Sequence, residues 1–141
     1  MSASDHGDDD VRARIARAFA CDRDGDERAA VVHYDAAWRL GVPDDVRARF
    51  LVGYGSTLRN VGRAEEAVAI LAEAALEHPD YPALQAFLAL ALHAAGHPTA
   101  ALATMLAVVL DLAGPQGGPL DGYQRALGEY QRELLDAAMR P

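Results

Sequence analysis

The fold is decided by two stretches of the chain, GRAEEAVAILAEAALEHP at residues 62–79 and GHPTAALATMLAVVLDLA at residues 96–113. Glycine, small residues and apolar residues follow in the same order in both, at a constant offset of 34 positions. The aligned residues are Gly62, Ala67, Leu71, Ala74 and Pro79 with Gly96, Ala101, Met105, Val108 and Ala113, and upstream Leu51, Tyr54, Gly55 and Leu58 with Gln85, Leu88, Ala89 and Leu92. The chain therefore contains an internal repeat.

Apolar residues recur at helical spacing from Val11 to Leu112, with a break wherever glycine or proline intervenes. The breaks fall at Asp24-Gly25, Gly41-Val42-Pro43, Gly62, His78-Pro79, Gly96-His97-Pro98 and Gly114-Pro115. This pattern predicts six helices. Almost no segment alternates polar and apolar residues, and alanine is a poor strand former, so no sheet is expected.

An earlier copy of the repeat is present with a different offset. Gly25 stands at its turn, followed by Ala30, Tyr34 and Ala37, and 37 residues separate Gly25 from Gly62. Three extra residues therefore lie around positions 41–45. In the first helix of this copy, Arg17 and Cys21 depart from the pattern of the later copies.

These residues and the 34-residue period resemble the tetratricopeptide repeat, a helix-turn-helix unit with small residues where its two helices cross. The resemblance implies an all-α fold, a right-handed α-α superhelix of about three repeats. The run from Gly55 to Arg63 is also similar to a small bacterial group of stand-alone three-repeat proteins, which implies no activity. The repeat-defining residues are Gly25, Ala30, Gly55, Leu58, Gly62, Ala67, Pro79, Ala89, Leu92, Gly96 and Ala101.

The domain organisation follows from the repeat. Residues 1–10, rich in aspartate, are expected to form a flexible acidic leader. One domain is expected over 11–141, with repeats at about 11–46, 47–80 and 81–113, a Gly/Pro linker at 114–119 and a C-terminal capping helix at 120–139. The predicted docking face of that helix consists of Tyr123, Leu127, Tyr130 and Leu134, with Gln124, Arg125, Gln131 and Arg132 pointing away.

Composition limits the function classes. The 141 residues are 51% hydrophobic and 24% charged, and the net charge is −8, with arginine as the only strongly basic residue type. An acidic chain is not expected to bind nucleic acid or an anionic membrane. The apolar stretches at 84–95 and 100–110 are too short to span a bilayer. With the single cysteine Cys21 the chain forms no internal disulfide, and a cytoplasmic location is predicted.

The candidate catalytic and metal-binding motifs of the chain lack the spacing or context that their chemistry requires. Asp22–Glu27 has the wrong spacing for a calcium loop, and a break at Gly96 separates His93 from His97, so neither group predicts a metal site. Gly53–Thr57 lacks the context of a phosphate loop, and Asp22 beside Cys21 disfavours a reactive thiolate. The sequence therefore predicts a non-enzymatic protein with no cofactor and no metal.

The resemblance implies that the first helices of successive repeats line a concave groove. Transfer of the repeat register places there Arg12, Ile15, Phe19 and Arg23, then Val52, Ser56, Arg59 and Asn60, then Ala86, Phe87, Leu90 and His93. Aromatic and arginine side chains are typical of binding hot spots, so a peptide or helix with apolar anchors and a carboxylate is the expected partner. The family's two-carboxylate clamp is absent, because Ile15, Phe19, Ala83 and Phe87 occupy its positions.

Three functional hypotheses remain. The leading one is a scaffold or adaptor that binds a protein or peptide in the groove. The second is a homo-oligomeric module, a symmetric homodimer, whose groove is filled by its own terminal helix or by a second copy. The third, a small-molecule or metal-dependent activity, ranks last because only scattered carboxylates and histidines suggest it.

Overall fold

The structure, a computed structural model, describes residues 3–115 and 117–141. Within that part it contains seven helices and no strand: α1 (Ala3–Arg23), α2 (Glu27–Leu40), α3 (Asp44–Asn60), α4 (Ala64–Glu77), α5 (Ala83–Ala94), α6 (Pro98–Ala113) and α7 (Gln124–Met139). The predicted all-α fold is confirmed. None of the described helices is both long enough and apolar enough to cross a membrane.

The helices stack as three successive pairs, α1 with α2, α3 with α4 and α5 with α6. Helix α3 also packs against α1 and α2, and helix α5 packs against α3 and α4. Each first helix thus covers both helices of the pair before it. This arrangement is a repeat solenoid, in which every pair contacts only its neighbours.

The turns inside the three pairs share one hydrogen-bond pattern. Each contains a glycine with positive φ, at 79° for Gly25, 89° for Gly62 and 88° for Gly96. The following N–H donates to the carbonyl five residues earlier: Asp26 to Cys21 at 2.9 Å, Arg63 to Leu58 at 2.8 Å and His97 to Leu92 at 2.9 Å. Glycine closes such a helix end without strain. The offsets of 37 and 34 therefore relate equivalent backbone positions in all three repeats.

Small residues allow the paired helices to approach closely. Ala30 and Ala67 are fully buried, and Ala101 is 7% exposed. A Cβ atom at Gly55 would lie 2.5 Å from Cγ of Leu71, which is too close for any real contact. The contact between α3 and α4 therefore requires glycine at this position.

Four aromatic rings meet in the core between the first and second repeats. The Tyr34 ring centroid lies 5.3 Å from that of Phe50 and 5.7 Å from that of Tyr54, and Trp38 stacks on Phe50 at 6.3 Å. Tyr34 and Phe50 are fully buried. Large rings at these separations add packing energy beyond the burial of their area.

The N-terminal segment differs from its prediction. Helix α1 begins at Ala3 rather than near Val11, so helix extends over most of the predicted leader. Met1 and Ser2 lie outside the described residues. Residues 6–10 are exposed, and local electrostatics explain the extension: aspartates favour a helix N-terminus, and Asp8 Oδ2 pairs with Arg12 Nε one turn later at 2.7 Å.

Helix α7 docks through a different face from the predicted one. Tyr123 and Tyr130 are 68% and 58% exposed, whereas Leu127 is half-buried. Two glutamines face the protein instead: Gln124 Nε2 donates to the carbonyl of Gly114 at 2.6 Å, and Gln131 Nε2 donates to that of Ala103 at 3.4 Å. The docking face is thus rotated from the tyrosines towards these glutamines, which cover backbone carbonyls of α6 and the turn after it.

Helix α7 lies on the outer face of the stack. Among the described helices it packs against α6 alone. Ala103 of α6 is fully buried, whereas Ala69 of α4, which precedes it by 34 residues, is exposed. The sequence-based alternative of a groove covered by the terminal helix is therefore wrong, because α7 lies on neither α1, α3 nor α5. The chain between α6 and α7 turns outwards instead of across the end.

Candidate functional site

A cavity of about 350 Å³ opens between the first two repeats. It lies among α1, α2 and α3, on the side that the repeat register predicts to be concave. The residues that line it are Phe19, Asp22, Arg23, Tyr34, Arg49, Val52 and Gly53. Concave, partly apolar cavities with a few convergent polar groups are typical of binding sites.

Two aromatic rings and a carboxylate form the inner part of the cavity. Phe19 meets Tyr34 edge to face, with 6.2 Å between the ring centroids. The Tyr34 hydroxyl donates to Asp22 Oδ2 at 2.8 Å. Burial and this hydrogen bond raise the pKa of Tyr34 above its usual value, so the hydroxyl stays protonated and keeps donating. The pair orients the Asp22 carboxylate towards the protein.

Gly53 makes this arrangement possible. A Cβ atom at position 53 would clash with the hydroxyl of Tyr34. With glycine there, the ring of Tyr34 reaches from α2 past α3 to Asp22 on α1. The residue 34 positions later is Phe87, whose half-buried side chain packs against the core. The third repeat therefore carries a large side chain where the first two carry Ala16 and Gly53.

The rim of the cavity is basic. Arg23 and Arg49 are exposed, and within the described part of the chain neither forms an ion pair. The Arg49 guanidinium carbon lies 4.8 Å from the Phe19 ring centroid, a cation–π contact. With Asp22 as the only acidic lining residue, the cavity carries one net positive charge on a chain of net charge −8. An anionic group is favoured here.

An apolar depression of about 200 Å³ continues from the cavity and shares Phe19 with it. Arg12, Ile15, Ala16 and Val46 complete its lining. Arg12 is held at the edge by Asp45, with Nη2 and Oδ1 2.9 Å apart, as well as by Asp8. An elongated ligand along this face would meet apolar surface first and the free arginines beyond it.

The predicted groove residues of the first two repeats are placed as follows. Phe19, Arg23 and Val52 line the cavity, and Arg12 lines the depression. Ser56 and Arg59 are half-buried further along α3. Arg59 Nη1 donates to Asn60 Oδ1 at 2.9 Å, and Asn60 Nδ2 donates to Glu27 Oε1 at 2.7 Å. Asn60 thus joins α3 to α2.

The predicted contribution of the third repeat is not part of this cavity. Phe87 packs against the core, whereas Leu90 is 41% exposed and His93 is exposed. None of the three lines the cavity or the depression. Phe87 stands where the second repeat has Gly53, so the third repeat lacks the small residue beside which this cavity forms.

Sequence reasoning missed four lining residues, Asp22, Tyr34, Arg49 and Gly53. Arg49 could have been found, because it follows Arg12 by the same 37 positions that relate the first two turns. Tyr34 was recognised only as a repeat position. Its reach across the groove depends on Gly53, and no single-position pattern predicts such a pairing.

The other sequence candidates have structural roles. Asp26 Oδ1 accepts from the Ala29 N–H at 3.1 Å and caps α2. Residues 53–57 lie inside α3. His93 and His97 are both exposed, on either side of a turn, and His97 Nε2 lies 3.5 Å from Glu65 Oε1.

A polar network behind the groove joins the first two repeats. Arg63 pairs with Asp35 at 2.8 Å and with Glu66 at 2.6 Å, and the Tyr54 hydroxyl also donates to Asp35. Burial would raise the pKa of Asp35, but the hydrogen bonds from Arg63 and Tyr54 outweigh it and hold the pKa below its usual value. The ionised carboxylate therefore fixes α2 against α3.

Stacked helix pairs of this kind define a helical-repeat domain. The chain belongs to the tetratricopeptide repeat family, since the family model described as tetratrico peptide repeat matches residues 11–134. Proteins of this family generally serve as scaffolds for protein–protein interaction. No curated protein matches the chain. No solved structure matches it either.

Proposed function

We propose that this protein is a non-enzymatic scaffold that binds an acidic peptide segment in the cavity between α1 and α3. The observation that carries the proposal is the pair Arg23 and Arg49 at the rim of an aromatic cavity. A carboxylate of the ligand pairs with these guanidinium groups, and a neighbouring apolar side chain packs on Phe19. Arginine beside an aromatic ring is a frequent hot-spot combination.

Charge explains the selectivity of such a site. The chain as a whole repels acidic partners through its net charge of −8. A local positive charge then selects a short acidic segment rather than a large acidic surface. The apolar depression beside Phe19 requires an aromatic or aliphatic residue next to the acid.

A peptide titration tests the proposal. The probes are short fluorescent peptides with two or three acidic residues beside one phenylalanine or leucine, and matched peptides with Asp and Glu replaced by Asn and Gln. Acidic peptides should bind the native protein and lose at least about tenfold in affinity with the Arg23→Glu, Arg49→Glu double variant, since charge-assisted pairs dominate the contact.

The matched control is Arg28→Glu with Arg132→Glu, which changes the net charge equally at two exposed arginines away from the cavity. It should bind like the native protein apart from a small salt-dependent loss. Equal binding of acidic and amide peptides, or equal losses in the two double variants, would refute binding at this cavity. A partner captured from lysate should compete with the acidic peptide.

A further inference from the structure

We propose that the C-terminal end of the helix stack is a homodimer interface, in which the same surface of a second copy covers α6. This end face consists of Leu102, Val109 and Leu112, which are 56%, 44% and 67% exposed. The proposal does not rest on the groove function, because the end face belongs to the third repeat and the cavity to the first two.

The repeat register shows that this face is normally covered. Val31 and Trp38 on α2 correspond to Val68 and Ala75 on α4, and these to Leu102 and Val109 on α6. The residues of the first two sets, on α2 and α4, pack against the core. Helix α3 covers α2 at these residues, and helix α5 covers α4. In this fold the first helix of the next repeat thus covers this position. In the described chain no such helix covers α6.

Helix α7 does not supply that cover. A first helix in this fold contacts both helices of the preceding pair, as α5 contacts α3 and α4. Helix α7 packs against α6 alone, over Ala103 on the outer face. The neighbouring interior is correspondingly open: Leu88 and Leu92 of α5 are half-buried, whereas their counterparts Tyr54 and Leu58 are 3% and 0% exposed.

The charge distribution selects a second copy as the occupant. Residues 81–110 contain no aspartate, glutamate, lysine or arginine. Two chains of net charge −8 repel each other over most of their surface, but Leu102, Val109 and the rest of residues 81–110 bring no acid to this face. The same feature disfavours a basic partner, because residues 81–110 offer it no carboxylate. A two-fold axis would set these apolar side chains against the same side chains of a second copy, with no charge from residues 81–110 buried between them.

The exposed area is sufficient for such a contact. The chain exposes 8528 Å². A compact monomer of this size exposes about 7,000 Å². A standard interface removes about 800 Å² from each partner, so the excess can supply one. A two-fold dimer would join two grooves in one particle and bind two acidic segments at once.

Sedimentation equilibrium over a wide concentration range tests the proposal. The native protein should show a concentration-dependent mass that rises to twice the chain mass. The Leu102→Glu, Val109→Glu double variant should weaken association at least about tenfold, because it places like charges across the axis. Both positions are already exposed, so the variant should keep its fold and melting temperature at low concentration.

The matched control is Val32→Glu with Leu76→Glu, which replaces the same residue types at exposed positions outside the end face. It should dimerise as the native protein does, apart from a small weakening caused by its more negative net charge. A native protein that is monomeric at every concentration would overturn the proposal. A dimer that persists in the Leu102→Glu, Val109→Glu variant would also overturn it, and so would a dimer that the control variant disrupts equally. None of these results would affect peptide binding at the groove.

Discussion

The first two repeats and the third repeat share one backbone arrangement but differ in the side chains that pack within it. In the first two, aromatic rings meet between α2 and α3, and the network around Asp35 ties the pairs together. In the third, residues 81–110 supply alanine and leucine without a single strongly charged residue. The comparison teaches that equivalent repeat positions can build different surfaces: an aromatic cavity with a basic rim at one end of the solenoid and an exposed apolar face at the other.

Leu58 and Leu92 offer the sharpest test of this contrast, because they occupy the same position in successive repeats. Leu58 is fully buried and Leu92 is half-buried. We expect Leu58→Ala to lower the free energy of unfolding by about 3 kcal/mol and Leu92→Ala by about half as much. Urea denaturation at low protein concentration measures both. Equal losses would mean that the third repeat is packed as tightly as the second.

Two glycine-to-alanine changes should have opposite signs. Gly53→Ala brings a methyl group against the Tyr34 hydroxyl and should destabilise the protein by about 1–2 kcal/mol. In α7 the nearest atom to a Cβ at Gly128 is 3.8 Å away, so Gly128→Ala should stabilise by about 0.5–1 kcal/mol through helix propensity.

Thermal melts of both variants would check these signs. Adding Tyr34→Phe to Gly53→Ala should recover part of the loss, because the clashing atom is removed. A fully additive double variant would show that the methyl group meets something other than the hydroxyl.

Asp35→Asn should remove a stabilising contribution that depends on pH. The fold lowers the pKa of Asp35, so its contribution is complete above the usual carboxylate range and is lost as the pH falls through the folded value. At neutral pH the loss should be about 1–2 kcal/mol, since the group is hydrogen-bonded but a quarter exposed.

Denaturation as a function of pH measures this effect. Below about pH 4 the native protein should lose stability faster than the variant, and the two curves should converge. Asp111→Asn is the control, because that carboxylate is exposed and makes no ion pair with a described residue. Parallel curves for the native protein and Asp35→Asn would contradict the network's role.

The smallest effect is expected at Arg125, whose pair with Glu129 spans 3.3 Å on the exposed side of α7. Arg125→Ala should change the free energy of unfolding by less than about 0.5 kcal/mol, as is typical of surface pairs. A loss comparable to that of Asp35→Asn, measured in the same urea series, would mean that α7 is held far more firmly than its exposure indicates.

Much of the fold was predictable because the residues that define the repeat act locally. Gly25, Gly62 and Gly96 close the turns by their own conformational freedom, and Ala30 and Ala67 set the close approach of helices. The position of α7 was not predictable. Glycine and proline in the linker end a helix but do not determine the direction in which the chain continues. An apolar face formed by Leu127 and Leu134 fits either the end or the outer side of α6.

The candidate site was predictable in part. Phe19, Arg23 and Val52 follow from the register alone. The cavity itself depends on the absence of a side chain at Gly53 and on the reach of Tyr34, which are tertiary features. The partner class, the cytoplasmic location and the absence of nucleic-acid binding and cofactors stay predictions.

Hydrogen exchange mapped along the chain tests most directly the claim that the two ends have separate roles. It compares the native protein dilute and concentrated, with and without the acidic peptide. We predict that peptide slows exchange in α1 and α3 at every concentration, and that raising the concentration slows exchange in α6 with or without peptide. Protection of the same helices by peptide and by concentration, or of no helix by either, would contradict the account.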